Sequence, residues 1–359
     1  MVILQKDSEM SLTRQDTSVM KGIAIIAMLL HHLYGVPIEV AAPCPNILQW
    51  LGALGKVCVA LFLFCSGYGL AAQYKQTSIK DDVKFTARRL VKFYANYWTV
   101  FVLFVPISIF VYNRTLTEAY GGDTSTIICF IKDIFGVQGW QSYNITWWFN
   151  ELIIILYLIF PLLHRIIHKL PWVVIIGSII LMRFSDHIPI NPIEICLWQF
   201  PFVLGISWKV LETTKINEKI DRFKVHKLTF GISTVIICSL CIVVRMWSII
   251  PHWSGVRIDG MVACAVVLMI IGVLRYVPHV MTILSFIGKH SMNIYMTHTF
   301  FVLYWYPKWF NENLWMRQGI SIFVLMGVCL IISIMIEFLK EKSGINTIVK
   351  TITSKINWN

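Results

Sequence analysis

The sequence predicts an all-α protein, a polytopic transmembrane helix bundle of about ten spans with both termini in the cytoplasm. Three observations carry this. Of 359 residues, 57% are hydrophobic and 14% charged, where a soluble domain is about half apolar and a quarter charged. The apolar residues are gathered into at least ten runs, each long enough to cross roughly 30 Å of hydrocarbon. Lysine and arginine concentrate on one side of those runs, the bias that marks cytoplasmic loops.

Taken in order, the first 18 residues are polar and form a short cytoplasmic segment. The run at 19–36 is longer than a signal-peptide core and has no convincing cleavage site, so it is the first helix. Further helices follow at 49–74, 93–112, 147–163, 172–188, 193–210, 228–250, 260–277, 281–305 and 318–339. Between the third and fourth, the stretch 124–137 is too short to span and carries Lys132 and Asp133, which suits an interfacial or re-entrant helix. Residues 340–359 form a short cytoplasmic tail, and the chain 1–359 reads as a single transmembrane domain.

Ten spans place both termini on one side. Segments on that side hold 22 Lys and Arg against about 7 on the other, so both termini face the cytoplasm. The net charge of +12 is divided among short loops, which leaves no basic face for nucleic acid. Seven of the nine cysteines lie inside apolar runs as packing residues, with no metal-like spacing. Cys44 and Cys129 fall outside and are the candidate pair for a disulfide. The tryptophans at 147–148 and at 305 and 309 are expected as interfacial belts.

Ionisable groups within spans cost roughly 2.5 to 3.5 kcal/mol each on insertion scales, so each needs a partner or a task. Lys21 and His32 are 11 residues apart on the first helix, three turns plus about 20°, and so share a face. The pair is separated by roughly 16 Å along the axis, with Lys21 at the cytoplasmic boundary and His32 beyond the midplane. A lone histidine in a span is also explained by an interhelical hydrogen bond, the reading His31 keeps. The loop with Lys75, Lys80, Lys84, Arg88, Arg89 and Lys92 is an orientation signal, a headgroup contact or a phosphate grip. On the ninth helix Ser291, Tyr295 and His298 form one polar stripe. Glu151 on the fourth span and Lys56 on the second are further candidates, Lys56 being equally able to snorkel. There is no GxSxG, P-loop, HExxH or Rossmann fingerprint. The residues alone describe a polytopic protein with a polar, histidine-containing interior, which fits a transporter as well as an enzyme.

The order of these segments resembles the acyltransferase-3 family, membrane-bound O-acyltransferases that modify surface polysaccharides and related glycans. Arg14-Gln15-Asp16 followed by Met20-Lys21-Gly22 and ending at His32 is similar to the family's first-helix motif, a basic residue, ten positions and a histidine. The stretch from Gly55 to Ser66-Gly67-Tyr68 looks like its second-helix motif, and Phe85 to Arg88-Arg89 and Tyr97-Trp98 its basic loop and third helix. Trp147-Trp148 with Glu151, Tyr157 and Phe160-Pro161 resembles the Trp-to-Pro helix, and Gly288, Ser291, Tyr295 and His298 the late Gly-x-x-Ser-x-x-x-Tyr-x-x-His motif. Three positions depart from the pattern: Lys21 replaces the usual arginine, so a bidentate phosphate contact becomes a point charge, while Cys58 replaces a glycine and Ala95 a proline.

The resemblance implies a multi-pass protein of the bacterial plasma membrane with no permanently bound cofactor and no metal. Its donor would be cytosolic acyl-CoA, acetyl-CoA by default and succinyl as the alternative, and its acceptor a glycan hydroxyl. Lys21, Arg14, Arg88 and Arg89 would hold the CoA phosphates. His32 would act as general base, His298 and Tyr295 would orient the acceptor or steady the oxyanion, and Glu151 belongs to the same catalytic set.

Overall fold

The computed structural model describes residues 10–35, 46–75, 78–122, 125–189, 191–212, 227–247, 255–312 and 319–358. Among them every regular element is helical. Among the described residues eight helices are long and apolar enough to cross a membrane, and two of the ten expected spans differ. The run at 172–188 contributes a 13-residue helix, Pro171–Arg183, which stops where Arg183 is followed by the polar turn Ser185–His187. The run at 281–305 is interrupted at His290, giving Pro278–Lys289, Ser291–Thr299 and a π-helical segment Phe300–Trp305.

The helices are α1 (Arg14–Leu30), α2 (Asn46–Gly55), α3 (Cys58–Ala71), α4 (Ile79–Phe110), α5 (Leu116–Tyr120), α6 (Thr126–Ile134), α7 (Trp148–Lys169), α8 (Pro171–Arg183) and α9 (Ile195–Leu211). They continue as α10 (Lys227–Trp247), α11 (Asp259–Gly272), α12 (Pro278–Lys289), α13 (Ser291–Thr299), α14 (Pro307–Glu312), α15 (Ser321–Lys342) and α16 (Ile345–Trp358). Local sequence explains their ends. Thr13 and Asp16 form a capping box at α1, the Thr13 hydroxyl accepting from the Asp16 N–H at 3.1 Å and Asp16 from the Thr13 N–H at 2.7 Å. Ser78 and Asp81 do the same for α4. At about 1.5 Å per residue the 32 residues of α4 reach some 48 Å, longer than the hydrocarbon, so its first turns, with Lys80, Lys84 and Arg88, extend past it. Gly344 in the left-handed region (φ 74°) ends α15 and turns the chain into α16; the expected tail is thus helical.

The chain packs into two compact units. The first comprises Met1–Ala24, Val57–Tyr74 and Leu162–Lys289. In it α3 lies directly on α9: a methyl added to Gly67 would overlap the Phe202 carbonyl and one on Gly205 the Phe64 carbonyl, the small-residue crossing that lets helix backbones approach in lipid. Ion pairs tie its elements together. Arg245 of α10 donates from Nε to Asp259 of α11 at 2.5 Å, and Arg275 donates to Asp16 of α1 at 2.7 Å.

The second unit comprises Ile25–Lys56, Lys75–Pro161 and His290–Asn359. Here α13 packs against α4 and α15. One network meets the Asn293 amide N–H groups on its polar side: Asn293 donates to Glu337 at 2.8 Å and to Ser333 at 3.1 Å, and Lys340 donates to Glu337 at 2.5 Å and to Asn96 of α4 at 2.6 Å. The α6 helix does sit where the 124–137 segment was expected, with Ile127, Ile128 and Ile131 exposed. Its last carbonyls, orphaned by the helix end, accept from α4: Tyr97 from its hydroxyl to Asp133, Trp98 from Nε1 to Ile134 at 2.8 Å, and Tyr94 to Phe135 at 3.0 Å. Trp147 and Trp148 are not an interfacial belt. Both are buried, and Trp147 donates its indole N–H to the Met296 carbonyl at 3.1 Å, so protein rather than headgroups satisfies it. Cys44 lies outside the described residues, and Cys129 is a free thiol.

Candidate active site

His31 and His32 stand where α1 loses its regular hydrogen bonding. After Leu30 the chain widens into a π-helical turn, His31–Gly35, a form of insertion that recurs at functional sites. What holds the turn is α2. A methyl placed on Gly52 would come within 2.5 Å of the Gly35 N and one on Gly55 within 2.9 Å of the His31 N, so backbone meets backbone. His31 uses its Nδ1 against the Gly52 carbonyl at 3.0 Å, an interhelical contact of the kind the sequence suggested for it. His32 makes no hydrogen bond among the described residues and is partly exposed.

The second histidine of interest, His298, comes from α13 and is fully buried. The centroid of its ring lies 4.9 Å from that of His32. Its Nδ1 faces the carbonyls of Tyr295 at 2.9 Å and Ile294 at 3.1 Å. Carbonyls only accept, so in the neutral ring Nδ1 carries the proton and the lone pair is left at Nε2. That atom is buried and has no partner among the described residues. An unmet acceptor inside a protein costs about 1–3 kcal/mol.

Tyr295 lies on the same helix. Its hydroxyl donates to the Thr146 carbonyl at 2.7 Å and lies 3.3 Å from Asn150 Oδ1, which pins α13 to the loop that enters α7. Asn144 of that loop accepts from Thr299 at 2.7 Å and from Thr146 at 2.8 Å. Ser291, the first residue of the stripe, is buried one turn earlier. Glu151 follows Asn150 on α7 and is half-buried, feeling the charge of Lys132. On α4, Arg89 packs its guanidinium over Phe85, 5.6 Å from the ring centroid, and Arg88 is adjacent. Arg14 and Lys21 are residues of α1 within the first unit, Arg14 exposed and Lys21 partly so. The second unit therefore gathers His31, His32, His298 and Tyr295. Among the described residues no group of three or more His, Cys, Asp or Glu could hold a metal ion.

Three features escaped the sequence. Asp133 is fully buried and its carboxylate accepts from the Tyr120 hydroxyl at 2.6 Å and from the Tyr143 N–H. Burial pushes its pKa up to about 6, and those donors partly oppose the rise. Only its place in an amphipathic segment was visible. The second is the network of Asn293, Ser333, Glu337 and Lys340, on helices that in sequence carry no shared pattern. The third is Arg114, whose guanidinium lies 3.4 Å from the centroid of Tyr304 and 4.5 Å from that of Tyr143.

The family model described as an acyltransferase domain matches residues 16–337. That stretch runs from the capping residue of α1 to the glutamate of the α13–α15 network. No curated protein and no solved structure matches the chain.

Proposed function

The chain belongs to the acyltransferase-3 family of membrane acyltransferases, and from that premise we propose that it moves an acyl group from cytosolic acyl-CoA to a hydroxyl of a cell-surface glycan or its lipid-linked precursor, in the bacterial plasma membrane. The observation that carries this reading is the juxtaposition of two imidazoles from separate helices, one with a buried, unmet lone pair. Ester formation needs a base for the attacking hydroxyl. His32 takes that proton as the oxygen attacks the thioester carbonyl. The C–O bond forms, the C–S bond breaks, and the proton finishes on the CoA thiol. A positioned base of this sort is worth typically 10²- to 10⁴-fold in rate. His298 faces His32 and, with its tautomer fixed by backbone carbonyls, offers Nε2 to the acceptor or to an N–H of His32. Tyr295 contributes by holding α13 to the loop before α7.

For the donor, Arg14 and Lys21 on α1 and Arg88 and Arg89 on α4 are the cations proposed for the phosphates of CoA, each to be tested singly. Lys21 supplies a point charge rather than a fork. Acetyl is the simplest acyl group, and succinyl is distinguishable from it by mass. The interruption of the ninth span at His290 is a device that transporters also use, but family membership decides for group transfer.

The test compares His32→Ala and His31→Ala proteins inserted at equal levels. Acyl transfer is expected to fall at least about 10²-fold in the first and only several-fold in the second, which loses one hydrogen bond to Gly52; an active His32→Ala protein removes the assignment. For Lys21→Ala the expected change is a higher KM for acyl-CoA at nearly constant acceptor KM, and an unaltered donor KM takes Lys21 out of the donor site. Loss of ester groups from the purified surface glycan on gene deletion, read by mass spectrometry, tests the acceptor class and names the acyl group.

A further inference from the structure

The second unit contains a cavity of about 440 Å³ beside α5, α6 and the loop that precedes α7. This is within the range of small-ligand pockets, about 300–1,000 Å³. Arg114, Tyr120, Cys129, Trp140, Gln141 and Tyr304 line it. Its chemistry is specific. Arg114 is held between two aromatic rings, at 3.4 Å from the centroid of Tyr304 and 4.5 Å from that of Tyr143, and its backbone is tied into the end of α4 through Ser108 and Tyr143. The rings stabilise the charge through their faces. Nη1 of Arg114 is buried and has no hydrogen-bond partner among the described residues. Trp140 is 46% exposed and backed by Trp148, stacked at 4.2 Å between centroids, so it presents a braced flat face. Gln141 adds an exposed amide with donors and an acceptor.

We propose that this cavity seats one sugar residue of the acceptor glycan. Flat aromatic faces cover the C–H faces of a pyranose, while the planar Gln141 amide and the unmet Arg114 N–H meet its oxygens, either ring hydroxyls or the carboxylate of a uronic acid. A cationic ligand is disfavoured by Arg114. The position suits such a ligand. α4 begins with the basic cluster expected on the cytoplasmic side, and Arg114 follows its other end. The pocket is also joined to the histidines through one loop. Trp140, Gln141 and Ile145 face the cavity, the Ile145 N–H donates to the Tyr304 hydroxyl at 3.0 Å, and Asn144, Thr146 and Trp147 of the same loop grip α13. A sugar in the cavity therefore rests on the segment that positions His298. That the sugar is an acyl acceptor rests on the proposed function; that it binds here does not.

The experiment uses the full chain in lipid nanodiscs and saturation-transfer NMR with the methyl glycosides of glucose, N-acetylglucosamine and glucuronic acid. At least one is expected to receive saturation from the native protein. Arg114→Gln and Trp140→Ala should weaken that binding about ten-fold, equivalent to about 1.4 kcal/mol, and Gly327→Ala, whose methyl meets nothing within 4 Å, should leave it unchanged. A signal only from the glucuronide identifies a carboxylate as the partner of Arg114, and equal signals identify hydroxyls. A second reading needs no variant in the pocket: the bound glycoside should slow alkylation of Cys129 by a maleimide, followed by peptide mapping. No saturation of any glycoside, equal binding by the Arg114 and Trp140 variants, or a Cys129 rate indifferent to the glycoside each overturns the proposal. A native protein that binds a glycoside here yet moves no acyl group would instead overturn the proposed function and leave the pocket standing.

Discussion

Replacing Gly55 by alanine tests whether α2 sets the geometry of the histidine turn. The added methyl would overlap the Ala27 carbonyl and stand 2.9 Å from the His31 N and 3.1 Å from its Cβ. Carbon contacts settle at about 3.5–4.0 Å, and the Ala27 and His31 N neighbours are backbone, which cannot swing aside. The two segments must separate by roughly 1 Å. In stability the change is modest, since alanine gains about 1 kcal/mol of helix propensity over glycine against about 1–3 kcal/mol for overpacking. In catalysis it is large, because a 1 Å misplacement can cost about 10²-fold. Gly55→Ala protein should thus insert normally, melt within a few degrees of the native protein, and transfer acyl groups about 100-fold more slowly at saturating donor and acceptor. Gly327→Ala is the control, because a methyl there meets nothing within 4 Å; its activity should be native. Native turnover by the Gly55→Ala protein would refute the idea that backbone contact with α2 positions His31 and His32.

Asp133 makes stability pH-dependent. Its carboxyl is raised from 3.8 to about 6 in the folded chain by burial, so ionisation is disfavoured on folding. The destabilisation is absent below pH 3.8, grows as pH rises toward 6, and then levels off at about 3 kcal/mol, from about two units at 1.36 kcal/mol each. Melting temperatures of the nanodisc-embedded protein should fall across that window, and Asp133→Asn should flatten the fall; an undiminished slope in the variant assigns it to other groups. The buried pair Arg245 and Asp259 gives a different signature. Asp259→Ala alone strands a cation and should cost about 3–5 kcal/mol, whereas Arg245→Met with Asp259→Leu should be near neutral; additive losses in the double variant would contradict this.

Helix periodicity and charge bias were legible because lipid imposes them on every span, and they do not depend on which helices meet. The apolar parts of α4 and α15 lie where run length placed them, at 93–112 and 318–339, whereas residues 79–92, expected as a basic loop, are the first turns of α4. Pairings over long separations were not legible. Asp16 caps α1 together with Thr13, three residues away, but its second partner is Arg275, 259 residues away. Trp147 has the composition of an interfacial anchor, yet finds its acceptor in the Met296 carbonyl, inside the protein. A propensity for the headgroup region says only that an indole needs one polar partner, and a carbonyl exposed by an interrupted helix serves equally well.

That interruption also bears on the histidines. A reading at 100° per residue puts Lys21 and His32 on one face, and the α-helical path holds through Leu30. From His31 the turn is wider, so the last residues leave the ideal phase, and neither composition nor spacing encodes where. His298 is followed at once by a second π-helical segment, Phe300–Trp305, and its own helix starts after the break at His290. Both imidazoles thus sit beside departures from regular hydrogen bonding. In hydrocarbon such departures are tolerated only where protein or a polar cavity satisfies the freed groups. Gly52, Tyr295 and Ile294 supply carbonyls to His31 and His298 here, and this directs the ring of His298 so that one lone pair stays unmet. The carbonyls that direct His298 Nδ1 come from its own helix, one turn back, so the ring's position at the end of α13 determines which nitrogen is left without a partner among the described residues.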